Sequence, residues 1–475
     1  MLDLNHLGQY RENNRIEAKR ALGGLPHSIW ETYSAFANTL GGLLLLGVEE
    51  ESDKSLRAID LPDPEWLVRE FWEQVNDPER ASVNILSARD VTVEDVDGKR
   101  IVVINVPRAG RTDKPVYVDG DPRNTFRRSG EGDYRCTAEE YRAMVRDASV
   151  QPQDMLVLED MDADVFNAES VLAYRRRMWT TRPDHVWEAL ENGEFLLKLG
   201  ALGIGGDGRK HPTAAGLLMF GNEHDIVRAY PHYSLDYREE RGRRTERILS
   251  SSGGWSGNVF DFYFLVYDRL RQDLKLPHAA RRGGAPVENA VREALANCLV
   301  NADYHGRGGL AIVRHENEIT MSNPGSFRIE IAAAKSGGSS DPRNGTLSGM
   351  FNRIDVGERT GSGIPNIFRV WREQGWAEPV IRQSIEPDRT TLTLAFAPAD
   401  GEKRAKKRSD SRIRERQKNA VIEYLTDKAS AKTPELADVL GVSASRARAV
   451  LSALIDEDIV VAEGGSRGRT YRLKA

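Results

Sequence analysis

The chain has 475 residues, a formal net charge of -5 and 40% hydrophobic residues. This length exceeds what one hydrophobic core normally supports, so we expect several compact domains. The only cysteines, Cys136 and Cys298, lack the number and spacing of a disulfide framework or a zinc site. The longest apolar run, residues 43–48, is too short to cross a membrane, and the first residues have no signal-peptide pattern. We therefore expect a cytoplasmic protein with no membrane partner.

Residues 1–150 have an alternating helix and strand pattern. A helix is predicted around residues 28–40, followed by a glycine turn, the apolar strand GLLLLGVEE and a second strand at residues 99–107. Short extended segments and a helix over residues 137–147 follow. The pattern predicts one α/β domain.

Three blocks of this first domain follow a family pattern. Glu12, Glu17 and Lys19 precede the block SAFANTLGG, and the strand after it ends in Gly-Val-Glu at Glu49. Later come PRAGRTDKPVYV and FRRSGEGDYRCTAEEY. This order resembles the Schlafen AlbA_2-type nucleic-acid-binding domain. In animal Schlafen proteins the matching glutamates and aspartate form a metal-dependent ribonuclease site, so the resemblance implies candidate catalytic carboxylates at Glu12, Glu17 and Glu49 that would hold Mg2+ or Mn2+.

Two residues depart from that nuclease pattern. Glu49 replaces the family's aspartate, and Ala18 stands where phenylalanine is expected. Prokaryotic members are usually described as nucleic-acid binders rather than nucleases. The alternative interpretation makes Glu12 and Glu17 capping or surface residues.

The same domain contains candidate nucleic-acid contacts at Lys19, Arg127 and Arg128. The two arginines precede a Ser-Gly turn, a context that suits contact with phosphate. In the alternative interpretation these side chains pair with nearby acidic residues.

Residues 151–284 are predicted to be a helical connecting region. The pattern is helical from residue 156 to residue 202, and PTAAGLLMFG (residues 212–221) is interpreted as a buried turn and strand.

Residues 285–400 contain an acid and an amide one helical turn apart. Glu293 and Asn297 project from the same face of a predicted amphipathic helix, and two glycine motifs follow, at residues 323–327 and 361–365. This order resembles the Bergerat-type ATP site of the GHKL superfamily (gyrase, Hsp90 and histidine kinases). It is still closer to the ATPase-like domain of prokaryotic Schlafen AlbA_2-type putative transcriptional regulators.

The GHKL resemblance assigns roles to several residues. It implies that Asn297 coordinates Mg2+ at the phosphates of ATP and that Glu293 orients or deprotonates the attacking water. The remaining candidate nucleotide contacts are Asn301, Asn323, Gly325, Arg343, Thr360, Gly361, Ser362 and Gly363.

Two of these candidates replace superfamily residues. Asn323 stands where active members have an adenine-binding aspartate, and its amide oxygen can still accept a hydrogen bond. Asn301 stands where relatives have histidine, a role that would be lost or pass to His305. Arg343 lies in a predicted lid and is a candidate γ-phosphate contact. The alternative is a domain that keeps its shape without nucleotide.

A basic linker at residues 401–416 leads into a last domain at residues 417–475. Helices at residues 417–427, 433–440 and 444–457 and a terminal hairpin resemble a winged helix-turn-helix. Candidate DNA contacts are Arg446 and Arg448 on the third helix and Arg467 and Arg469 on the wing. Such domains also serve as dimerisation modules, which is the alternative role.

The predicted fold class is therefore a multidomain α+β protein with an AlbA_2-like domain, a GHKL-like α/β sandwich and a winged helix. The favoured function is a nucleotide-responsive transcriptional regulator that binds nucleic acid, DNA rather than RNA, uses ATP and Mg2+, and forms a homo-oligomer. Its ATP site makes ATPase activity possible. The alternative is a metal-dependent nuclease of DNA or RNA in antiphage defence.

Overall fold

The chain, in a computed structural model, forms two compact units. The structure describes residues 4–241, 244–251, 254–273, 284–357 and 361–398; in the C-terminal region it describes residues 418, 420–422, 424–426, 428, 430–440, 447, 450–452, 454–455, 459–463 and 470–474. The first unit contains residues 1–374 and 379–394, and the second contains residues 375–378 and 395–475.

The first part of the first unit, which we call the N-terminal domain, is built on a four-stranded sheet. Its elements are β1 (Ile16–Lys19), α1 (Ser28–Asn38), β2 (Gly42–Leu46), β3 (Val48–Glu50), β4 (Leu56–Ala58), α2 (Pro64–Val75), β5 (Val91–Val96), β6 (Lys99–Val106), β7 (Phe126–Ser129), β8 (Gly132–Arg135) and α3 (Ala138–Ala148). The sheet has the order β1-β2-β6-β5, with β1 and β2 parallel and the other neighbours antiparallel. Apolar side chains of α1, α2 and one sheet face form its core, in which Trp30 stacks on Phe71.

The SAFANTLGG block joins α1 to the strands around it. The buried Asn38 amide donates to the carbonyls of Val116 and Phe126 and accepts from the Val116 N–H. The Thr39 hydroxyl accepts from the backbone N–H of Arg128. Gly41 has φ +72°, and a Cβ there would lie 2.8 Å from the Val106 carbonyl oxygen. The block therefore satisfies buried backbone groups where helix and strands meet.

A mainly helical segment follows. It contains α4 (Ala168–Thr181), α5 (Asn192–Leu199), β9 (Leu202–Ile204), β10 (Lys210–Pro212), α6 (Ala214–Phe220) and α7 (Glu223–Ala229). The strand predicted in PTAAGLLMFG is wrong: residues 214–220 form the buried helix α6, which begins at Thr213, whose hydroxyl accepts from the Gly216 N–H. An apolar run of this length fits a buried helix as well as a strand.

The rest of the first unit is a six-stranded mixed sheet with helices packed on it, and we call it the six-stranded-sheet domain. Its elements are β11 (Leu235–Arg241), β12 (Arg244–Ser250), α8 (Val259–Asp273), α9 (Gly284–Val300), β13 (Leu310–Arg314), β14 (Glu318–Pro324), α10 (Ile331–Ser336), α11 (Gly345–Arg353), α12 (Gly363–Glu373), β15 (Val380–Ile385) and β16 (Asp388–Ala395). The strand order is β12-β11-β13-β14-β16-β15. β11 and β12 come from the region predicted to be a helical connection. They belong to this sheet instead, because β11 pairs in parallel with β13.

The second unit contains β17 (Ala431–Lys432), α13 (Thr433–Leu440), β18 (Val460–Glu463) and β19 (Thr470–Leu473). The strands form a sheet in the order β17-β19-β18. Its core includes Val421, Leu436, Leu451 and Tyr471. Among the described helices of the whole chain, none is long and apolar enough to cross a membrane.

Candidate nucleotide cavity and inter-domain cleft

A cavity in the six-stranded-sheet domain is lined by residues from several separate segments of the chain. Glu293 and Asn297 line it from successive turns of α9, and Asn301 lines it from the position just after that helix. The other predicted residues on its wall are Asn323, Gly361 and Gly363. We call this space the nucleotide cavity.

Glu293 and Asn297 form a pair on the cavity wall. Nδ2 of Asn297 lies 3.4 Å from Oε1 of Glu293, and the Glu293 side chain is buried. The pair presents carboxylate and amide oxygens, which are the ligands Mg2+ prefers.

The second glycine motif places α12 against this pair. A Cβ at Gly363 would lie 2.1 Å from Oε1 of Glu293, so only glycine lets the first turn of α12 approach the carboxylate. Gly361 has φ +68° and packs in the same way on the Ser339 carbonyl. Ser362 is the N-cap residue of α12. Thr360 lies outside the described residues.

The first glycine motif ends β14. Asn323 is buried, and its side-chain nitrogen donates to the carbonyl of Pro324, an orientation that leaves the amide oxygen as the acceptor. Gly325 has φ +90°, and a Cβ there would lie 2.5 Å from Nη1 of Arg343. Gly325 therefore makes room for a guanidinium.

The buried side chain of Arg343 holds the two domains of the first unit together and leaves its predicted γ-phosphate contact without geometric support. Nε and Nη2 donate to the two carboxylate oxygens of Asp147 at 2.9 and 2.8 Å. Nη1 donates to the Asn301 carbonyl at 2.5 Å, and Nη2 also donates to that of Ser326. Burial alone would lower the pKa of Arg343, but Asp147 outweighs it and the pKa is raised.

A second, larger cavity lies between the N-terminal domain and the six-stranded-sheet domain, and we call it the cleft. The N-terminal domain contributes Arg108, Lys114 and Arg127, and the other side contributes His305 and Asp388. Burial lowers the pKa of Lys114 to about 7, and nearby Arg108 adds to this effect. His305 lines the cleft rather than the nucleotide cavity.

Arg127 also faces the cleft, but its charge is already balanced. Its guanidinium forms ion pairs with Glu140, at 2.9 Å, and with Glu386. Arg127 therefore fits the alternative interpretation, in which these basic side chains pair with nearby acidic residues.

The predicted nuclease carboxylates lie in ion pairs. Glu17 accepts from Lys19 at 2.6 Å and from the buried Arg128 at 2.7 Å, whereas Glu49 pairs with Arg20 and Arg57. The described residues contain no group of three or more His, Cys, Asp or Glu side chains arranged to hold a metal ion. The predicted metal and catalytic roles of these carboxylates therefore have no support from this geometry.

Glu12 accepts from the backbone N–H of Ala18. Burial, with Glu17 close by, raises the pKa of Glu12. The carboxylate thus acts locally on the β1 backbone.

Two predicted nucleic-acid contacts in this domain serve the fold instead. Arg128 is 1% exposed and pairs with both Glu17 and Asp133, and Lys19 is held by Glu17. Neither guanidinium nor ammonium is positioned as a free phosphate contact. The four arginines predicted in the C-terminal domain, Arg446, Arg448, Arg467 and Arg469, lie outside the described residues.

Family models match four consecutive regions of the chain. Residues 12–137 match "Schlafen, AlbA_2", residues 142–236 match a domain of unknown function (DUF8451), residues 310–394 match "Putative ATP-dependent DNA helicase recG C-terminal" and residues 417–468 match "FaeA-like protein". The chain thus combines a Schlafen AlbA_2 domain with an ATPase-like domain, as in nucleic-acid-associated, ATP-related proteins. The third match begins after α9, so the placement of Glu293 and Asn297 in the cavity rests on the structure.

Comparison with individual proteins adds two solved structures. The DIP2311 protein from Corynebacterium diphtheriae is 18% identical, with 97% of this chain and 95% of that chain covered and a TM-score of 0.40. The N-terminal domain of a "Putative ATP-dependent DNA Helicase RecG-related Protein" from Nitrosomonas europaea is 36% identical, with 28% and 90% covered and a TM-score of 0.23. No curated protein matches the chain significantly.

Proposed function

We propose that the chain is a nucleotide-responsive nucleic-acid-binding protein, a transcriptional regulator that binds ATP and Mg2+ in the nucleotide cavity. One observation carries the proposal: the acid-amide pair of α9, Asn323 and the glycines before α12 line the same cavity although they are far apart in sequence. The matches to the Schlafen AlbA_2 and RecG C-terminal models support a nucleic-acid partner.

The residues of the cavity divide the work on ATP. Asn297, which lines the cavity, would hold Mg2+ through its amide oxygen, and the ion would neutralise phosphate charge when bound. Glu293 would orient the attacking water, and the N–H groups at the start of α12 suit phosphate oxygens. Asn323 would accept a hydrogen bond from the base.

Titration calorimetry with ATP and Mg2+ tests this assignment. We expect Asn297→Ala to weaken MgATP binding by about tenfold or more, because it removes a metal ligand. Glu293→Ala should retain binding and lose any turnover that the wild type has. Asn352→Ala, on the neighbouring helix α11, is the control and should bind as the wild type does. A wild-type protein that binds no nucleotide would overturn the proposal.

Nucleic-acid binding is tested separately, on the full chain. Affinity for duplex DNA should fall steeply with added salt, and Arg446→Ala combined with Arg448→Ala should weaken it. An unchanged affinity in the double variant would remove the C-terminal domain from DNA recognition. Tighter binding to RNA than to DNA would overturn the preferred partner.

A further inference from the structure

The nucleotide cavity and the cleft share one wall. Residues 326–329 and Ser339 line both spaces. The wall is held from the N-terminal domain by Arg108, whose guanidinium donates to the Phe327 carbonyl at 3.0 Å and contacts the Ser326 hydroxyl at 3.4 Å. A ligand in the nucleotide cavity would therefore contact residues to which Arg108 of the N-terminal domain donates hydrogen bonds.

Asp341 lies in this wall between two arginines from different domains. Its Oδ2 accepts from Nε of Arg111 at 2.5 Å and lies 3.5 Å from Nε of Arg328. Asp341 and Arg328 both line the nucleotide cavity, whereas Arg111 lines the cleft. We call these three residues the bridge.

The Arg328 side chain is built into the wall but incompletely satisfied. It is 8% exposed, its Nη1 and Nη2 donate to the carbonyls of Pro342 and Asp147 at 3.2 Å, and its buried Nε has no hydrogen-bond partner among the described residues. The Nε edge is the one that faces the Asp341 carboxylate. A guanidinium left in this state favours an additional anionic acceptor.

The charges around the bridge favour an anion as well. Arg328 faces the carboxylate of Asp341 and lies near that of Asp147, and its positive neighbours are Arg111 and Arg343. Burial, together with the nearby positive charges of Arg111 and Arg343, lowers the pKa of Arg328 despite the two aspartates. An additional anion beside Arg328 would therefore stabilise its charged form.

We propose that the phosphates of the bound nucleotide take Arg328 as their cationic partner in place of Asp341. When the cavity contains no nucleotide, Asp341 occupies the position of that anion beside Arg328. When nucleotide binds, the Asp341 carboxylate stays paired with Arg111. A phosphate carries more charge than one carboxylate, so it wins the competition for the Nε donor of Arg328. Arg111 thereby reports nucleotide occupancy to the N-terminal domain. This inference rests on the proposed nucleotide function of the same cavity.

The test compares ATP, ADP and adenosine by titration calorimetry on the full chain. Arg328→Gln should weaken ATP binding by about tenfold or more, since it removes a charged hydrogen-bond donor, and should change adenosine binding less than about twofold. Asp341→Asn should tighten ATP binding, by about threefold or more, because it removes the competing anion. Arg369→Gln is the control, since its exposed guanidinium pairs with Glu373 on the outer face of α12.

The opposite signs of the two effects separate recognition from misfolding, because a damaged fold weakens binding in both variants. Equal losses of ATP and adenosine in Arg328→Gln, or weaker ATP binding in Asp341→Asn, would overturn the assignment of Arg328 while leaving a nucleotide site. If the wild type binds neither ATP nor adenosine, the proposed function and this inference both fail. Arg328→Lys keeps the charge and should recover part of the ATP affinity.

Discussion

Gly363 determines whether the glycine motif and the acid-amide helix can meet. In Gly363→Ala the new methyl group would lie 2.1 Å from a buried carboxylate oxygen of Glu293, so that side chain or the start of α12 must move. We expect the free energy of unfolding to fall by about 1–3 kcal/mol, as overpacking usually costs, and ATP affinity to fall with it.

Thermal unfolding and calorimetry check this expectation against Gly349→Ala. Gly349 lies inside α11, and a Cβ there meets no atom within 4 Å. Alanine there should leave stability unchanged or raise it by up to about 1 kcal/mol. Equal behaviour of the two variants would show that Gly363 is not a close-approach glycine.

Glu17 is expected to stabilise the N-terminal domain without a metal. Its carboxylate joins β1 to the buried Arg128 on β7, which also pairs with Asp133, so loss of Glu17 should cost less than the roughly 3–5 kcal/mol of a buried ion pair broken completely. Arg128→Met and Glu17→Gln should therefore lower the unfolding temperature of this domain, whereas EDTA should not. Lys54→Gln, which breaks an exposed pair with Glu131, should leave the unfolding temperature almost unchanged. A fall in the unfolding temperature with EDTA, restored by Mn2+, would contradict the ion-pair assignment.

At the scale of elements, a bidentate pair attaches α3 of the N-terminal domain to the six-stranded-sheet domain, beside the ion pairs of Arg146 with Asp303 and of Glu139 with Arg307. Asp147, near the end of α3, holds Arg343, just before α11. Burial acts to raise the pKa of Asp147, but Arg343 outweighs it, so that pKa is lowered and the carboxylate stays charged.

A double-mutant cycle with Asp147→Asn and Arg343→Gln measures this attachment. Each single change leaves the other partner buried without its counter-charge, so the cycle should give a coupling free energy of about 1–3 kcal/mol in chemical unfolding. The exposed pair Arg100 and Glu65 supplies the control cycle, in which the coupling should be much smaller. Additive effects at Asp147 and Arg343 would contradict a direct attachment.

The sequence predicted the local features of these elements but not the contacts between residues that are far apart in the sequence. Helical spacing was enough to place Glu293 and Asn297 on one face, whereas the side chains that Gly325 and Gly363 approach, Arg343 and Glu293, were not predicted. The role of Arg343 was not predictable, because its partner Asp147 lies in another domain, far away in the sequence. The same reason hid Arg328 and Asp341, whose significance depends on Arg111. The helix α6 was missed because every one of its side chains is buried, which removes the amphipathic period.

At the scale of the whole molecule, the bridge predicts coupling between nucleotide and nucleic acid. ATP binding that draws Arg328 away from Asp341 leaves that carboxylate to Arg111 alone, so the contact that the N-terminal domain makes with the bridge differs between the two states. By linkage, a ligand that distinguishes these states must have its own affinity altered by the nucleotide. The wild type should therefore bind DNA with a dissociation constant that changes by about fivefold or more when ATP is added, the usual range for coupled sites.

Arg111→Gln should bring the ratio of the DNA dissociation constants measured with and without ATP close to one, because the variant loses the contact from the N-terminal domain. ATP itself should still bind, because the variant keeps Arg328. Arg100→Gln removes an exposed charge of that domain outside the bridge, so it can weaken DNA binding but should keep the wild-type ratio. Fluorescence anisotropy at fixed salt measures both constants, and fixed salt matters because phosphate contacts make DNA affinity depend on it. If Arg111→Gln retains the full ratio, the signal passes through another contact, and the Arg108 grip on Phe327 is the next to replace.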